Sequence, residues 1–286
     1  MPPTHNSNDD TLPLPAPDLS ELVVRRMEQT EARVFSLELD GREVWIKRAA
    51  RPELRSRIGY ACMRAISFVS RLEILRPCTE PGGPQTLRNE ALLLRDFRSR
   101  GVRVPEVIAF AGNSSWLAAS SIGQSLGRRA KQASVPLERR ELLVGAARAL
   151  AEVHRAGCVH GAPLPRNLCV EETEGGRCYG FLDFEDHPEG RMSVPCSQAR
   201  DLLLLVWGSA SWAERDPDLL PSMLRAWCEA DAAPGAWEEV RSHARLARWF
   251  FAPLRPLRRL LGKDLRRALI TVDALKAETA RPSANP

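Results

Sequence analysis

Apolar side chains recur along this chain with two different periods, one typical of strands and one typical of helices. In VFSLELDGREVWIK, residues 34–47, apolar residues alternate with polar ones on both sides of an Asp-Gly pair. A period of two interrupted by Asp-Gly predicts two antiparallel strands joined by a tight hairpin turn. VPEVIAFAGNSSWLAAS, residues 104–120, has a Gly-Asn pair between two apolar runs and predicts a second hairpin.

Helical periodicity is clearest in two segments. In TLRNEALLLRDFRSRG, residues 86–101, four apolar residues share one helical face and a glycine stands where the helix would end. LERRELLVGAARALAEVHRAG, residues 137–157, has apolar residues at i, i+3, i+4, i+7 and i+10 and a similar terminal glycine. Helices are also predicted for residues 52–75 and for almost everything after Ala199.

The arrangement of these elements predicts an α+β fold with two lobes. Residues 1–20 are rich in Pro, Asn and Asp and are interpreted as a disordered leader, since they lack the charged start and apolar core of a signal peptide. A β-rich N-terminal lobe with one main helix is predicted for residues 21–120. A mostly helical C-terminal lobe with a small hairpin is predicted for 121–278, followed by a tail at 279–286. The polar stretch SIGQSLGRRAKQASVP, residues 121–136, is interpreted as the linker between the lobes.

Composition and charge narrow the classes of partner and compartment. The 286 residues carry a net charge of +5, which permits a nucleotide, a phosphate, a nucleic acid or an acidic membrane surface as partner. The seven cysteines are odd in number and include no C-x-x-C pair, so neither a disulfide framework nor a zinc-type spacing is predicted. Free cysteines fit a reducing compartment, and a cytoplasmic location is expected. No apolar run approaches the length that spans a bilayer.

A third predicted hairpin carries the candidate chemistry. The stretch CVHGAPLPRNLCV is followed by a Gly-Gly turn and by CYGFLDFED. Asn167 precedes the first strand of this hairpin and Asp183 follows the second, so the two residues should lie close together. An amide oxygen and a carboxylate beside phosphate oxygens suit Mg²⁺, which keeps few protein ligands.

At these residues the chain resembles the protein-kinase-like superfamily, and within it the bacterial lipopolysaccharide (Kdo-type) kinase and InaA-like group. The resemblance is carried by VHGAPLPRNLCV, FLDFED, VWIK and LRNEALLLRDF and spans residues 34–205. Asn167 follows Ala162 by five residues, which is the spacing between the catalytic aspartate and the asparagine of that superfamily. DFE stands where DFG is usual.

The resemblance implies a role for six residues. Lys47 would hold the α- and β-phosphates of ATP, and Glu90 would pair with Lys47. Asp183 would bind Mg²⁺ directly, with Asn167 as the second metal ligand, while His160 and Asp201 would hold the loop in shape. Each residue type also has an ordinary explanation: a solvated Lys or Glu, a turn Asp, a core His, and an Asp that caps the helix following it.

Three departures from the superfamily pattern leave the activity open. Ala162 replaces the residue that accepts the substrate proton, a group that contributes about 10²–10⁴-fold to the rate. Phosphoryl transfer depends mainly on positioning and electrostatics, so the loss of this base need not abolish it. Glu185 or Asp186 is a candidate substitute for the base, and Arg166 is a candidate ligand for an anionic substrate or a phosphate. No glycine-rich loop precedes the lysine. Trp45, on the same strand face as that lysine, would stack on adenine, fill its pocket or pack into the lobe core.

Two functions remain as expectations. One is an ATP- and Mg²⁺-dependent phosphotransferase acting on a hydroxyl of a sugar, a lipopolysaccharide-like glycolipid or another small acceptor. The other is a catalytically impaired pseudokinase that serves as a regulatory module by binding a nucleotide or a protein partner. RLARWFFAPLRPLRRLLGKDLRR, residues 245–267, suits either contact with an anionic inner membrane or a helix with a solvated basic face. No nucleic-acid partner is expected, since the positive net charge is the only feature that would suggest one and no nucleic-acid-binding motif accompanies it.

Overall fold

The computed structural model describes residues 12–49, 74, 76, 78, 82–186, 188, 191–230, 235–257 and 262–280. The chain divides into two compact units, the first made of residues 1–57 and 80–122 and the second of residues 58–79 and 123–286. Ile74, Arg76 and Cys78 therefore belong to the second unit, although the sequence placed them in the N-terminal lobe. Apart from Ile74, the helix predicted for residues 52–75 lies outside the described residues.

The first unit contains a four-stranded antiparallel sheet. Its strands are β1 (Val34–Leu39), β2 (Arg42–Arg48), β3 (Val107–Phe110) and β4 (Trp116–Ser120), in the order β1-β2-β4-β3. Asp40 and Gly41, between β1 and β2, both have positive φ, as the tightest hairpin turns require. Both hairpins predicted for this part of the chain are confirmed.

Helix α1 (Pro17–Gln29) covers one face of this sheet. Its residues Leu19 and Val23 are buried together with Val44 and Ile46 of β2. The interpretation of residues 1–20 as a disordered leader is therefore wrong for its last part. A proline at the start presets φ for the first turn, and two apolar residues four apart face the sheet, which stabilises the helix despite its polar neighbours.

Helix α2 (Pro84–Ser99) is the main helix predicted for the first unit. Its buried apolar side chains are the four that the sequence pattern placed on one face, Leu87, Ala91, Leu94 and Phe97. The helix ends before Gly101, whose φ of +80° is a conformation that glycine adopts without strain.

The second unit contains a small antiparallel sheet formed by β5 (Gln124–Ser125), β6 (Leu168–Thr173) and β7 (Gly176–Phe181), in that order. The hairpin predicted from NLCV and CYGFL is confirmed as β6 and β7. The segment interpreted as a linker is instead structured, because β5 pairs with β6 and is followed by helix α3 (Leu126–Gln132). Two apolar side chains four residues apart in α3, Leu126 and Ala130, are buried, a pattern that the surrounding Gly, Ser and Arg residues obscured.

Five longer helices make up most of the second unit: α4 (Pro136–Arg155), α5 (Val194–Ala213), α6 (Leu219–Glu229), α7 (Ala236–Phe251) and α8 (Lys263–Thr279). The apolar stripe predicted for α4 is buried. Helix α5 begins at Val194, five residues before the predicted start, with Ser193 as its N-cap. Helix α8 includes Thr279, the first residue of the predicted tail.

The described residues thus form a mixed α and β structure, with two small antiparallel sheets and a majority of helix, consistent with the predicted α+β class. Short 3₁₀ turns occur at Pro165–Asn167 and at Ala252–Leu257. Within the described part of the chain, none of the helices combines the length and the apolar character needed to cross a bilayer.

Candidate functional site

In the first unit, Lys47 and Glu90 form an ion pair. Lys47 lies near the end of β2, and its Nζ is 2.7 Å from Oε1 of Glu90 in the middle of α2. The exposed fractions of the two side chains are only 15% and 4%. The pair therefore joins the helix to the sheet face opposite Ile46, which fixes the position of the ammonium group. Neither residue is the solvated surface charge that the sequence alone permitted.

Trp45 lies on the same face of β2 as Lys47, since buried Val44 and Ile46 alternate with them. Its side chain is 39% exposed, and its Nε1 donates a 3.2 Å hydrogen bond to Oε2 of Glu43. The alternative in which Trp45 packs into the core of the lobe is therefore wrong.

In the second unit, a buried aspartate holds the loop between α4 and β6. Oδ2 of Asp201 accepts the backbone N–H of His160 at 2.7 Å, and Oδ1 accepts that of Gly161 at 2.8 Å. Asp201 lies in the interior of α5, so it is not the helix N-cap that the sequence also allowed. Two backbone bonds to one carboxylate fix the direction in which the loop leaves α4.

A chain of buried side chains orients this carboxylate from the other side. Trp227 Nε1 donates to Nδ1 of His154 at 3.1 Å, so Nδ1 must carry a lone pair. The proton of His154 is then on Nε2, which lies 3.3 Å from Oδ2 of Asp201 and donates to it. Burial alone would raise the pKa of Asp201, but the hydrogen bond from His154 and the other donors outweigh it and lower that pKa. Asp201 is therefore held as an anion.

His160 is fully buried and packs against two aromatic rings, one at the end of the hairpin and one three residues beyond it. It stacks on Phe184 with ring centroids 4.6 Å apart and contacts Phe181 edge-on at 5.7 Å. Its Nδ1 accepts a 3.4 Å hydrogen bond from the backbone N–H of Ala162. Burial lowers the pKa of His160, although the carboxylates of Asp201 and Asp183 oppose this shift, so the imidazole is neutral. The histidine thus joins the loop to the residue that follows Asp183.

The hairpin brings Asn167 and Asp183 together at its open end. Leu168 pairs with Phe181, and the backbone carbonyl of Asn167 accepts a 2.8 Å hydrogen bond from the N–H of Leu182. Asp183 is the next residue, so the two side chains start from adjacent points of the backbone. Nδ2 of Asn167 donates to the carbonyl of Ala162 at 3.0 Å, which leaves its amide oxygen as the atom able to bind a cation.

The backbone at Asp183 is unusual. Its φ is +66°, in the left-handed region that few residues other than glycine occupy. Such conformations cost about 1–3 kcal/mol and concentrate at functional sites. Asp183 lies two residues after the end of β7, and its conformation departs from the extended backbone of that strand.

The remaining candidate residues lie in the loop itself or in the bend after Phe184. Arg166 is exposed on the 3₁₀ turn, while Glu185 is half-buried in the bend after Phe184. Ala162 is buried, and its side chain is only a methyl group. Asp186 has one carboxylate oxygen that is buried and accepts no hydrogen bond from any residue that the structure describes.

Sequence reasoning missed two contacts that shape the loop. Arg200, next to Asp201, donates to the carbonyl of Gly161, so α5 holds that residue through both its N–H and its C=O. Gly208, two turns further along α5, lies against Pro165: a Cβ there would be 2.6 Å from Pro165 Cδ. An arginine and a glycine in an apolar helix give no sequence signal of such contacts, because the partner residues lie about 40 positions away.

No model of a known protein family matches this chain, and no curated protein matches it.

Proposed function

We propose that this chain is an ATP- and Mg²⁺-dependent phosphotransferase with a two-lobed protein-kinase-like fold, acting on a hydroxyl of a sugar, a glycolipid or another small acceptor. The observation that carries the proposal is the loop clamped by Asp201, which leads to Asn167 beside Asp183 at the open end of a hairpin. A hairpin with a purely structural role does not require a buried anion to fix the path of the loop that leads into it. A loop that must present ligands in one geometry does require such a support.

The donor set at the end of the hairpin fits Mg²⁺. Asn167 offers its amide oxygen, because its nitrogen is held by the Ala162 carbonyl, and Asp183 offers a carboxylate. Two protein oxygens are enough for an ion that takes its other ligands from phosphates and water. When bound, Mg²⁺ would supply positive charge to the β- and γ-phosphates of ATP as the γ-phosphoryl group leaves.

In the first unit, Lys47 is assigned to the phosphates of ATP and Glu90 to positioning Lys47. A lysine that is 2.7 Å from a buried carboxylate has lost most of its rotamer freedom before a nucleotide arrives. Trp45, partly exposed on the same strand face, is assigned to stacking on the adenine ring. Its indole replaces the small residue common there in protein kinases.

Ala162 cannot accept a proton, so the acceptor hydroxyl must lose its proton to another group. Asp186 is one candidate among the nearby acids: its side chain is half-buried, and one of its carboxylate oxygens has no hydrogen-bond donor among the described residues. Glu185 is the alternative. Arg166 is exposed, as a residue that recognises an anionic acceptor must be.

Nucleotide binding tests the proposal directly. The melting temperature is measured with ATP, with ATP and Mg²⁺, and with Mg²⁺ alone, in the parent chain and in Asp183→Ala. ATP with Mg²⁺ at a hundred times its Kd should stabilise the parent by about 2.7 kcal/mol. Asp183→Ala should lose the part that depends on Mg²⁺, whereas Asp218→Ala, an exposed carboxylate before α6, should retain it. Absence of any shift in the parent would overturn the proposal.

A second function, a nucleotide-binding pseudokinase, is favoured by one specific observation, the methyl group of Ala162 in the base position. Turnover of ATP with a panel of sugar and glycolipid acceptors separates the two. Turnover in the parent that is lost in Asp186→Asn or Glu185→Gln would support the enzyme and locate its base. ATP binding without turnover, together with turnover that appears in Ala162→Asp, would support the pseudokinase.

We further propose a cytoplasmic location peripheral to the inner membrane, consistent with a glycolipid acceptor. Helix α7 exposes Trp249 to 77%, near exposed Leu246 and Arg245. An aromatic and a cationic side chain on one helix suit an anionic lipid interface. Sedimentation with vesicles that contain an anionic lipid should recover the parent chain but less of Trp249→Ser, and vesicles of neutral lipid should recover neither.

A further inference from the structure

A cysteine, a glutamate and a histidine converge in the second unit, away from the loop described above. Ligand atoms of Cys196, Glu239 and His243 all lie within 4.8 Å of one another. Cys196 is in the first turn of α5, and the other two residues are one turn apart on α7. Residues four apart on a helix share a face, so both side chains of α7 point toward the same place.

The fold brings these helices together at their beginnings. Gly235, directly before α7, has its Cα close to Pro195, since a Cβ there would lie 3.8 Å from Pro195 Cβ. Pro195 is the residue before Cys196. The position of the cysteine is fixed further by the N-cap, because the backbone N–H of Cys196 donates to Oγ of Ser193 at 3.3 Å. The cluster therefore stands on two helix starts, which are rigid supports for ligands.

The histidine has its ring orientation set by the protein. Nδ1 of His243 lies 2.7 Å from the backbone carbonyl of Glu239 and, since a carbonyl only accepts, Nδ1 carries the proton. The other ring nitrogen, Nε2, keeps its lone pair and is the atom left for a bond to a metal, while Nδ1 also lies 3.6 Å from Oε2 of Glu239. A histidine whose second nitrogen donates to a backbone carbonyl is the usual form of a zinc ligand.

Exposure of the three residues forms a gradient from core to solvent. Cys196 is 1% exposed, the His243 side chain 11% and the Glu239 side chain 40%. Glu239 is thus the member of the cluster in contact with solvent, and the thiol is the most shielded. A zinc site of three protein ligands takes a water molecule as its fourth ligand.

We propose that Cys196, Glu239 and His243 bind a Zn²⁺ ion. One sulfur, one nitrogen and one oxygen donor favour zinc over Mg²⁺ or Ca²⁺, which take oxygen ligands. Binding replaces the thiol proton of Cys196 with a Zn–S bond, and that proton is released to solvent. The ion would connect the start of α5 to α7. Arg200 and Asp201, which hold the loop, lie one helical turn beyond Cys196, so the ion would also stabilise the support of that loop.

The sequence contains no signal for this site. Cys196 and Glu239 are 43 positions apart, and only the packing of α5 against α7 brings them together. The absence of a C-x-x-C pair from the sequence does not bear on a site that uses one cysteine.

Metal binding by the full-length chain tests the proposal. Chain stripped with a chelator is titrated with Zn²⁺ by calorimetry, and with Co²⁺ while the absorbance of the thiolate-to-cobalt charge transfer is recorded. The parent should bind one ion and show the charge-transfer band. Cys196→Ser should lose the band, and Cys196→Ser and His243→Asn should each weaken Zn²⁺ binding at least tenfold, as expected when a ligand is removed.

Matched controls keep the test specific. Cys228→Ser changes another partly buried thiol, and Glu238→Gln changes the neighbouring carboxylate on α7, so both should bind as the parent does. If Cys196→Ser does not fold, the Zn²⁺ affinities of Glu239→Gln and His243→Asn are compared with that of the parent by calorimetry. Both of these positions are less buried than Cys196. A parent that binds no Zn²⁺, or binding that survives in His243→Asn, would overturn the proposal. Neither result bears on ATP binding, so the two proposals fail separately.

Discussion

The backbone N–H of His160 donates a 2.7 Å hydrogen bond to Oδ2 of Asp201, a carboxylate in the interior of α5 and 41 residues further along the chain. The same carboxylate accepts from Gly161 and from His154. A fully buried anion with three donors is a support that cannot be removed without leaving those donors unpaired.

Asp201→Ala should therefore destabilise the protein severely. Each buried donor left without an acceptor costs about 1–3 kcal/mol, so a loss above about 3 kcal/mol in the free energy of unfolding is expected. Denaturant unfolding followed by circular dichroism measures it. Asp218→Ala, whose carboxylate is 78% exposed, should change the free energy by less than about 0.5 kcal/mol. Similar losses in both variants would contradict the role given to Asp201.

Gly208→Ala should disturb the loop through its contact with α5. The new Cβ would be 2.6 Å from Pro165 Cδ and 3.1 Å from Leu164 Cδ2, so α5 and the loop must separate. Overpacking of this kind costs about 1–3 kcal/mol in the free energy of unfolding. The better helix propensity of alanine offsets about 1 kcal/mol of that cost. We expect a lower melting temperature and weaker Mg²⁺-dependent ATP binding.

Gly112→Ala is the control for this substitution, since no atom lies within 4 Å of the Cβ position at Gly112. Its melting temperature and ATP binding should match those of the parent. An unchanged melting temperature for Gly208→Ala would show that the loop accommodates the methyl group and is less tightly held than the structure indicates.

Lys47 and Glu90 should be energetically coupled. Lys47→Met leaves the buried carboxylate of Glu90 without this cation, which is strongly destabilising, whereas the double variant Lys47→Met/Glu90→Leu removes both charges. The loss in the double variant should be smaller than the sum of the two single losses by about 1–3 kcal/mol. A double-mutant cycle by denaturant unfolding measures the coupling. A cycle that closes near zero would mean that the pair does not hold α2 to the sheet.

Stability should fall as the pH drops below about 6.5, the pKa of histidine in an unfolded chain. Burial lowers the pKa of His160 in the folded protein, so in this range the unfolded chain binds a proton that the folded chain does not. The free energy of unfolding should therefore fall by about 1.4 kcal/mol per pH unit between pH 6.5 and the folded pKa, and His160 should add no pH dependence above pH 6.5. Unfolding of the parent and of His160→Asn at pH 7, 6 and 5 checks this. The variant should show the smaller slope, and equal slopes would contradict it.

Local chemistry made part of the fold predictable. The Asp40–Gly41 turn and the alternation around it specify a hairpin without help from the rest of the chain, because both signals act over a few residues. The apolar stripe of α4 is likewise predictable from the spacing of its residues alone. Helices α1 and α3 were missed because their neighbours are rich in Pro, Ser and Gly, and only burial of Leu19, Val23, Leu126 and Ala130 stabilises them as helices.

The candidate site was predictable as far as its residues lie near one hairpin. Asn167 and Asp183 were placed together because a two-stranded turn fixes which residues meet at its ends. The resemblance supplied the assignments of Lys47, Glu90 and Asp201, whose partners no local pattern identifies. Nothing in the sequence pointed to Arg200 on the Gly161 carbonyl or to Trp227 behind His154.

The sequence by itself determined the turns, the apolar stripes and the order of the chemistry along the chain, since these depend on interactions within about one turn of helix or one hairpin. Tertiary structure alone decided which side chains from distant segments share a buried space. Asp201 became the support of the loop, and Cys196 met Glu239 and His243, through the packing of α5. Burial is non-directional and acts between segments many residues apart, so the contacts it creates leave no period or spacing to read.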